Sequence, residues 1–96
     1  MVSKEEVEKV FKEYIDPEIM IDIWTLGLIY DYKIDGAKVN VTMTFTSPTC
    51  PFGPQMVEDI EDQIKRIDGV EEVKVEITFE PAWKPSEEVK EMLGLL

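Results

Sequence analysis

The dipeptide Asp35-Gly36 separates two runs of alternating apolar and polar residues, 28–34 and 37–45. An Asp-Gly pair suits the two-residue type I′ turn of a β-hairpin. Such a turn fixes the register, and a one-residue slip would move every side chain to the opposite face. The predicted apolar face pairs Ile34 with Ala37, Tyr32 with Val39, Tyr30 with Val41 and Leu28 with Met43, and the predicted polar face pairs Asp31 with Asn40 and Ile29 with Thr42.

Residues 3–14 and 54–68 have the periodicity of amphipathic helices. The first begins with a capping box of Ser3 and Glu6, and Asp16-Pro17 ends it, because the residue before a proline avoids helical backbone. The second starts at Pro54 and ends at Gly69. The predicted buried faces carry Val7, Val10, Phe11 and Tyr14 in the first helix and Val57, Ile60, Ile64 and Ile67 in the second, while Glu58, Asp59, Glu61, Asp62 and Lys65 face water.

A third strand is predicted over residues 73–79, and Ser86 then caps a short final helix, giving the order α-β-β-α-β-α. The second strand, the helix and the third strand form a βαβ unit, so these two strands should be parallel. Each strand is apolar on one face only. The predicted class is therefore α+β, with a three-stranded mixed sheet and helices on one face. The open face is either solvated or a docking surface.

The composition restricts the classes of function. Ninety-six residues, 44% of them hydrophobic, suit a single domain over residues 1–96. The formal charge of −11 disfavours nucleic-acid and membrane partners, which attract clustered lysine and arginine. One cysteine excludes an internal disulfide, and the lack of histidine removes the commonest general base, so no enzyme is expected. The first residues lack a signal peptide's apolar run, and we expect a cytoplasmic protein.

Ligand sites in βαβ units collect where strands end and helices begin. In this chain that edge receives the loop 46–53, which contains Cys50. Since the hairpin is antiparallel, the start of the first strand, with Gly27, lies at the same edge. The end of the third strand brings Trp83 there, and the segment around Asp16 feeds the first strand from nearby. Four separated segments are therefore predicted to converge around Cys50.

Cys50 has two interpretations. It lies just before a predicted helix, where unpaired backbone N–H groups lower the pKa of a thiol. Pro48 and Pro51 stiffen its loop, and rigid loops often hold a reactive group in place. Alternatively, Cys50 is a small buried apolar residue, as most lone cysteines are. The residues alone leave both interpretations open.

Asp16, Glu18 and Trp83 also have two interpretations each. The two carboxylates are either oxygen ligands or an activating pair for a site, or else a helix stop and a surface charge. Trp83 lies between two prolines and is either a lid over the site or a core residue.

Four motifs together resemble a known family. They are Asp16-Pro17-Glu18-Ile19, Leu26-Gly27-Leu28-Ile29-Tyr30-Asp31, Thr46-Ser47-Pro48-Thr49-Cys50-Pro51, and Pro81-Ala82-Trp83 with Ser86. In order and spacing, over nearly the whole chain, they resemble the SufT/PaaD-like family of metal–sulfur cluster assembly proteins. The resemblance implies a fold akin to small iron–sulfur cluster assembly domains and a role in maturing iron–sulfur proteins. It assigns the family's cysteine to Cys50 and its acidic motif to Asp16 and Glu18, with Gly27, Tyr30, Thr46, Pro48, Pro51 and Trp83 shaping the site.

The number of ligands limits what Cys50 can hold. Iron–sulfur clusters usually take four thiolates, or two thiolates and two histidines. One cysteine and no histidine do not complete either set, so we expect a transient iron–sulfur cluster or iron, with none permanently bound. The expected partners are the iron–sulfur assembly machinery or client apoproteins. The chain is expected to be a monomer or a weak homodimer.

The leading prediction is an accessory factor in iron–sulfur cluster assembly whose Cys50 transiently binds iron, a cluster or sulfur. One alternative is an interaction module that recruits a client through the open sheet face, with a structural Cys50. Another is a maturation partner of a phenylacetate-degrading oxygenase. Members of that type carry a cysteine-containing tail, and this sequence stops at Leu96 without one.

Overall fold

The computed structural model describes residues 2–17, 19–46, 53–92 and 94. Within these residues the elements follow the order α1-α2-β1-β2-α3-β3-α4. Their bounds are α1 Lys4–Glu13, α2 Ile23–Leu26, β1 Ile29–Asp35, β2 Lys38–Met43, α3 Gly53–Lys65, β3 Glu72–Ile77 and α4 Glu87–Met92. The predicted order α-β-β-α-β-α is confirmed, with the addition of the short helix α2.

The three strands form one mixed sheet in the order β1-β2-β3. β1 and β2 are antiparallel, whereas β2 and β3 are parallel and pair in phase from Lys38 opposite Glu72 to Met43 opposite Ile77. A parallel pair needs a crossover connection, which α3 provides. The predicted α+β class and mixed sheet are confirmed, and β2, the strand that leads towards the Cys50 loop, lies in the centre.

The hairpin register differs by two residues from the prediction. Asp35 pairs with Lys38, so Gly36 and Ala37 form the turn, and the predicted pairs were wrong. Gly36 has a φ of 61°. The observed turn gives the positive φ to glycine, whereas the predicted turn required one of Asp35 as well. Because side chains alternate with a period of two, the shift changes the cross-strand partners and preserves the apolar face.

An irregularity in β1 between Ile29 and Asp31 does change the face on which one residue, Ile29, lies. Ile29 pairs with the fully buried Met43 and packs against the core. The prediction that Ile29 lies on the polar face was wrong, because an extra residue in one strand reverses the alternation beyond it.

Helix α1 begins at the predicted capping box. The Glu6 backbone N–H donates to Ser3 Oγ at 3.2 Å, and the Ser3 backbone N–H donates to Glu6 Oε1 at 3.2 Å. The helix ends at Glu13 with Tyr14 as its C-cap, before the Asp16-Pro17 pair that was expected to stop it. The apolar face of α1 buries Val7 and Phe11 completely.

Helix α3 begins one residue before Pro54 and ends at Lys65, earlier than the predicted Asp68. Its buried residues are Gly53, Met56, Ile60 and Ile64, so the prediction missed Met56, while Val57 and Ile67 are half-buried.

The core lies between the helices and one face of the sheet, as predicted. Its buried residues are Val7, Phe11, Ile21, Ile23, Leu26, Leu28, Val39, Val41, Met43, Met56, Ile60, Ile64 and Val89. Phe79, predicted on the apolar face of the third strand, lies beyond β3 and is 41% exposed. The polar positions of β3 carry an exposed ion pair between Lys74 and Glu76, with 3.2 Å between the charged atoms. None of the described helices combines the length and the apolar character needed to cross a membrane.

Candidate functional site

The ends of β2 and β3 and the start of β1 meet at one edge of the sheet. Just beyond β2, the Thr44 backbone N–H donates to the Leu28 carbonyl at 2.9 Å. On the other side of β2, the Thr78 backbone N–H donates to the Met43 carbonyl at 2.9 Å. Thr44 is fully buried. The chain therefore enters the segment before Cys50 from a strand whose last residues are held on both sides.

Trp83 lies against the turn that precedes β1. Its Nε1–H donates to the Leu26 carbonyl at 2.6 Å, one residue before Gly27. Gly27 has a φ of 77° and ends α2 in the left-handed conformation, which glycine adopts without a steric penalty. The structure thus brings together two sequence-predicted residues, Trp83 and Gly27, that are far apart in the chain.

Tyr30 makes a second connection between the same two segments. Its hydroxyl donates to the Pro81 carbonyl at 2.7 Å. The turn before Pro81 is closed by the Thr78 side chain, whose Oγ accepts the Glu80 backbone N–H at 3.2 Å. Two side-chain hydrogen bonds, one from Trp83 and one from Tyr30, therefore attach the segment between β3 and α4 to the beginning of β1.

Asp16 is 2% exposed and organises the loop between α1 and α2. Its backbone N–H donates to the Ile21 carbonyl at 3.0 Å, and its own carbonyl accepts the Met20 N–H at 2.7 Å. One carboxylate oxygen accepts the Ile19 N–H at 3.3 Å. Met20 has a φ of 64°, a costly conformation for a residue with a side chain. Asp16 is therefore a buried carboxylate in a tight loop rather than a surface helix stop.

Tyr14, two residues before Asp16, is part of a polar contact that sequence reasoning missed. Its hydroxyl donates to Asp59 Oδ2 at 2.7 Å, and Gln55 Nε2 donates to Asp59 Oδ1 at 2.8 Å. Burial raises the pKa of Tyr14 above its usual value, and the hydrogen bond to Asp59 and the charges of Asp59 and Asp16 raise it further. The prediction that Asp59 simply faces water was wrong. The available signal was Tyr14 itself, since a buried tyrosine hydroxyl requires a partner.

Phe45 and Gly53 approach each other closely on either side of the Cys50 loop. Gly53 is buried, and a Cβ built on it would lie 2.6 Å from Phe45 Cε2 and 2.8 Å from Cζ. Thr46 follows Phe45 and is half-buried. Neither Phe45 nor Gly53 was predicted as a site residue, because a contact across a loop leaves no periodic signal in the sequence.

Four of the sequence-predicted site residues, Glu18, Pro48, Cys50 and Pro51, lie outside the described residues. Within the described ranges 2–17, 19–46 and 53–92, no group of three or more cysteine, aspartate or glutamate side chains is arranged to hold a metal ion. At this edge the described residues thus form a doubly attached segment carrying Trp83 and a tight contact at the start of α3, while Asp16 lies in the loop between α1 and α2.

Comparison with known proteins gives a consistent result. Residues 4–77 match the sequence profile of a family described as iron-sulfur cluster assembly protein. An Fe-S protein maturation auxiliary factor from Porphyromonas gingivalis is 38% identical over 98% of this chain and 93% of its own length. The Fe-S protein maturation auxiliary factor SufT from Staphylococcus aureus is 40% identical over 72% of this chain and 80% of its own length.

Two further similarities concern a larger protein and a solved structure. An iron-sulfur cluster carrier protein from Synechocystis is 33% identical over 98% of this chain, which corresponds to 27% of the carrier. A conserved hypothetical protein from Thermotoga maritima has a structure that superposes with a TM-score of 0.84 and 44% identity, over 97% of this chain and 95% of its own. The fold described above is therefore shared along essentially its whole length.

Proposed function

This chain belongs to the iron–sulfur cluster assembly protein family and is an accessory factor in the maturation of iron–sulfur proteins, and we propose that it acts through Cys50. The observation that carries the proposal is that the only thiol of the chain falls in the connection between β2 and α3. That connection leaves the sheet at the edge where Thr44 is bonded to Leu28 and Met43 to Thr78.

The described segments at this edge of the sheet are attached to one another by hydrogen bonds. Trp83 and Tyr30 attach the segment after β3 to the start of β1, which gives this edge a fixed shape. The buried carboxylate of Asp16 lies in the loop that leads into the same region through α2. We assign Asp16, with Glu18, as the acidic partners of Cys50, and Gly27, Thr46, Pro48 and Pro51 as residues that shape the site.

The cargo is an iron–sulfur cluster or iron that Cys50 binds transiently. A thiol must lose its proton before it binds iron, and α3, which begins three residues after Cys50, favours the thiolate. A cluster takes four ligands, and this chain has one cysteine and no histidine. The remaining ligands therefore come from a second copy, from a partner or from small thiols, and client thiolates replace them when the cluster is handed on.

The partners that follow from this chemistry are proteins of the iron–sulfur assembly machinery and apoproteins that receive the cluster, in the cytoplasm. The formal charge of −11 favours partners with basic surfaces around their cluster sites. It also opposes a simple face-to-face homodimer, so we expect the cargo-free protein to be monomeric.

Anaerobic reconstitution with iron and sulfide tests the proposal. The wild type should develop visible absorbance and support activation of an apo iron–sulfur protein, whereas Cys50→Ser should lose both and keep the wild-type circular dichroism spectrum. Light scattering should show that the coloured species is a dimer. If it is a monomer instead, the colour should form only when glutathione is added. A stable chromophore on a strict monomer without added thiols would contradict the ligand count.

The open sheet face provides the control. Lys74→Glu reverses one exposed charge there and should leave both reconstitution and activation unchanged, because an exposed ion pair contributes little to stability. If activation survives Cys50→Ser but is lost in Lys74→Glu, the chain recruits its client through the open face and the proposed role of Cys50 is wrong.

A further inference from the structure

The first turn of α3 contacts the end of β2 more closely than a side chain would allow. The 2.6 Å between the position of a Cβ at Gly53 and Phe45 Cε2 lies well below any normal carbon–carbon contact. A Cβ at position 53 would therefore require the Phe45 ring or the start of the helix to shift. The backbone of α3 at Gly53 and the side chain of Phe45 therefore pack directly against each other.

The Phe45 ring also has contacts on its other sides. It is half-buried and packs against the hydrophobic core. On another side it meets the Phe79 ring edge to face, with 6.2 Å between the ring centroids and 62° between the planes. Phe79 follows β3, so the ring of Phe45 lies between the end of one strand and the start of α3. A methyl group at position 53 would therefore displace the helix start, the ring or both.

We propose that Phe45 and Gly53 are positioning residues that fix the start of α3 relative to the end of β2 and thereby hold Cys50 in its working position. The inference rests on the proposed function of Cys50. Phe45 and Gly53 bracket the cysteine loop in the sequence, five residues before and three residues after Cys50. The contact therefore joins the two described ends of the connection that carries Cys50.

The contact acts through the helix start. The first N–H groups of a helix favour a nearby thiolate, and the effect fades within the first turn. A helix displaced from Phe45 therefore stabilises the Cys50 thiolate less. Leucine is smaller than phenylalanine, so Phe45→Leu makes room for the methyl group that Gly53→Ala adds, and the two changes together restore the fit. A positioning role predicts that either single change raises the pKa of the Cys50 thiol and that the two changes together restore it.

The test measures the rate of Cys50 alkylation by iodoacetamide against pH in the full-length protein. Gly53→Ala should raise the thiol pKa and slow alkylation at pH 7 by about threefold, the size of a helix-terminus effect. Phe45→Leu should act in the same direction. The double variant Gly53→Ala/Phe45→Leu should return to within about 1.5-fold of the wild-type rate, because coupled contacts are not additive.

Gln63→Ala is the matched control, since it replaces another neutral residue of the same helix with alanine beyond the first turns, and it should leave the thiol pKa unchanged. If Gly53→Ala fails to fold, Phe45→Leu and the double variant still decide the question. A wild-type thiol pKa in Phe45→Leu, or a double variant at least as slow as the worse single variant, would overturn the inference.

The two proposals fail in different ways. The alkylation profile needs neither cluster nor client, so the compensation between positions 45 and 53 remains measurable if Cys50→Ser still supports client activation. Conversely, Cys50→Ser can abolish activation while Gly53→Ala leaves the thiol unchanged, which would refute the positioning role alone.

Discussion

Replacing Trp83 with phenylalanine isolates the hydrogen bond that attaches the segment after β3 to the start of β1. The indole Nε1–H donates to the Leu26 carbonyl at 2.6 Å, and Leu26 is only 2% exposed. Phenylalanine keeps an aromatic ring and removes the donor, which leaves a carbonyl without its partner. The expected cost is about 1.5 kcal/mol. In a domain of this size, such a loss lowers Tm by about 6–12 °C.

Thermal unfolding followed by circular dichroism at pH 7 measures the effect. Trp24→Phe is the matched control, because it makes the same chemical change at a ring that is 36% exposed and stacks on Phe11 with 6.1 Å between the centroids. A surface change of this kind should lower Tm by less than about 4 °C. Equal losses in the two variants would refute the idea that the indole hydrogen bond secures this segment.

Two more predictions concern tyrosines. Tyr14→Phe removes a hydrogen bond to the Asp59 carboxylate and should reduce the free energy of unfolding, measured with urea, by about 1.5 kcal/mol; a loss below about 0.5 kcal/mol, on the order of a surface substitution, would contradict it. Burial, together with the hydrogen bond and charge of Glu8, raises the pKa of Tyr32 to about 12. The folded state therefore holds this proton more tightly, so stability should be full below about pH 10 and fall towards pH 12, less steeply in Tyr32→Phe. Parallel curves for the two proteins would show that Tyr32 is not the titrating group.

The hairpin shows what the residue pattern can and cannot specify. Alternation predicts which residues of β1 and β2 share a face, and beyond the irregularity at Ile29 that prediction survived a register error of two residues, since the period of a strand is also two. The pattern does not decide whether Asp35 or Gly36 begins the turn. The backbone decides it, because glycine takes a positive φ more readily than aspartate.

Short and irregular elements were the other source of error. Helix α2 has four residues, too few for a periodic signal, although Asp22 caps its start and Gly27 its end. The irregularity in β1 and the early end of β3 likewise depend on local backbone geometry. Phe79 continues the apolar alternation of β3 and is still exposed, because the Thr78 side chain closes a turn with Glu80 directly after the strand.

The candidate site was predictable to the extent that topology alone determines it. Strand direction predicted that the segments carrying Gly27 and Trp83 would meet, and the Leu26 carbonyl is where they do. Contacts between side chains distant in sequence, such as Tyr14 with Asp59 or Phe45 with Gly53, were not predictable, because each depends on how two helices and a strand pack. The role of Cys50 stays a prediction.

The turn at Gly36 lies at the end of the sheet opposite the Cys50 loop. β2 has six residues, which at a rise of about 3.3 Å each separate the two ends by roughly 20 Å. Gly36 is exposed. A fluorophore, an affinity tag or a surface tether introduced at this turn would therefore leave the cysteine-bearing end free to meet other proteins. The turn is therefore a suitable attachment point for experiments that test the binding of candidate partner proteins.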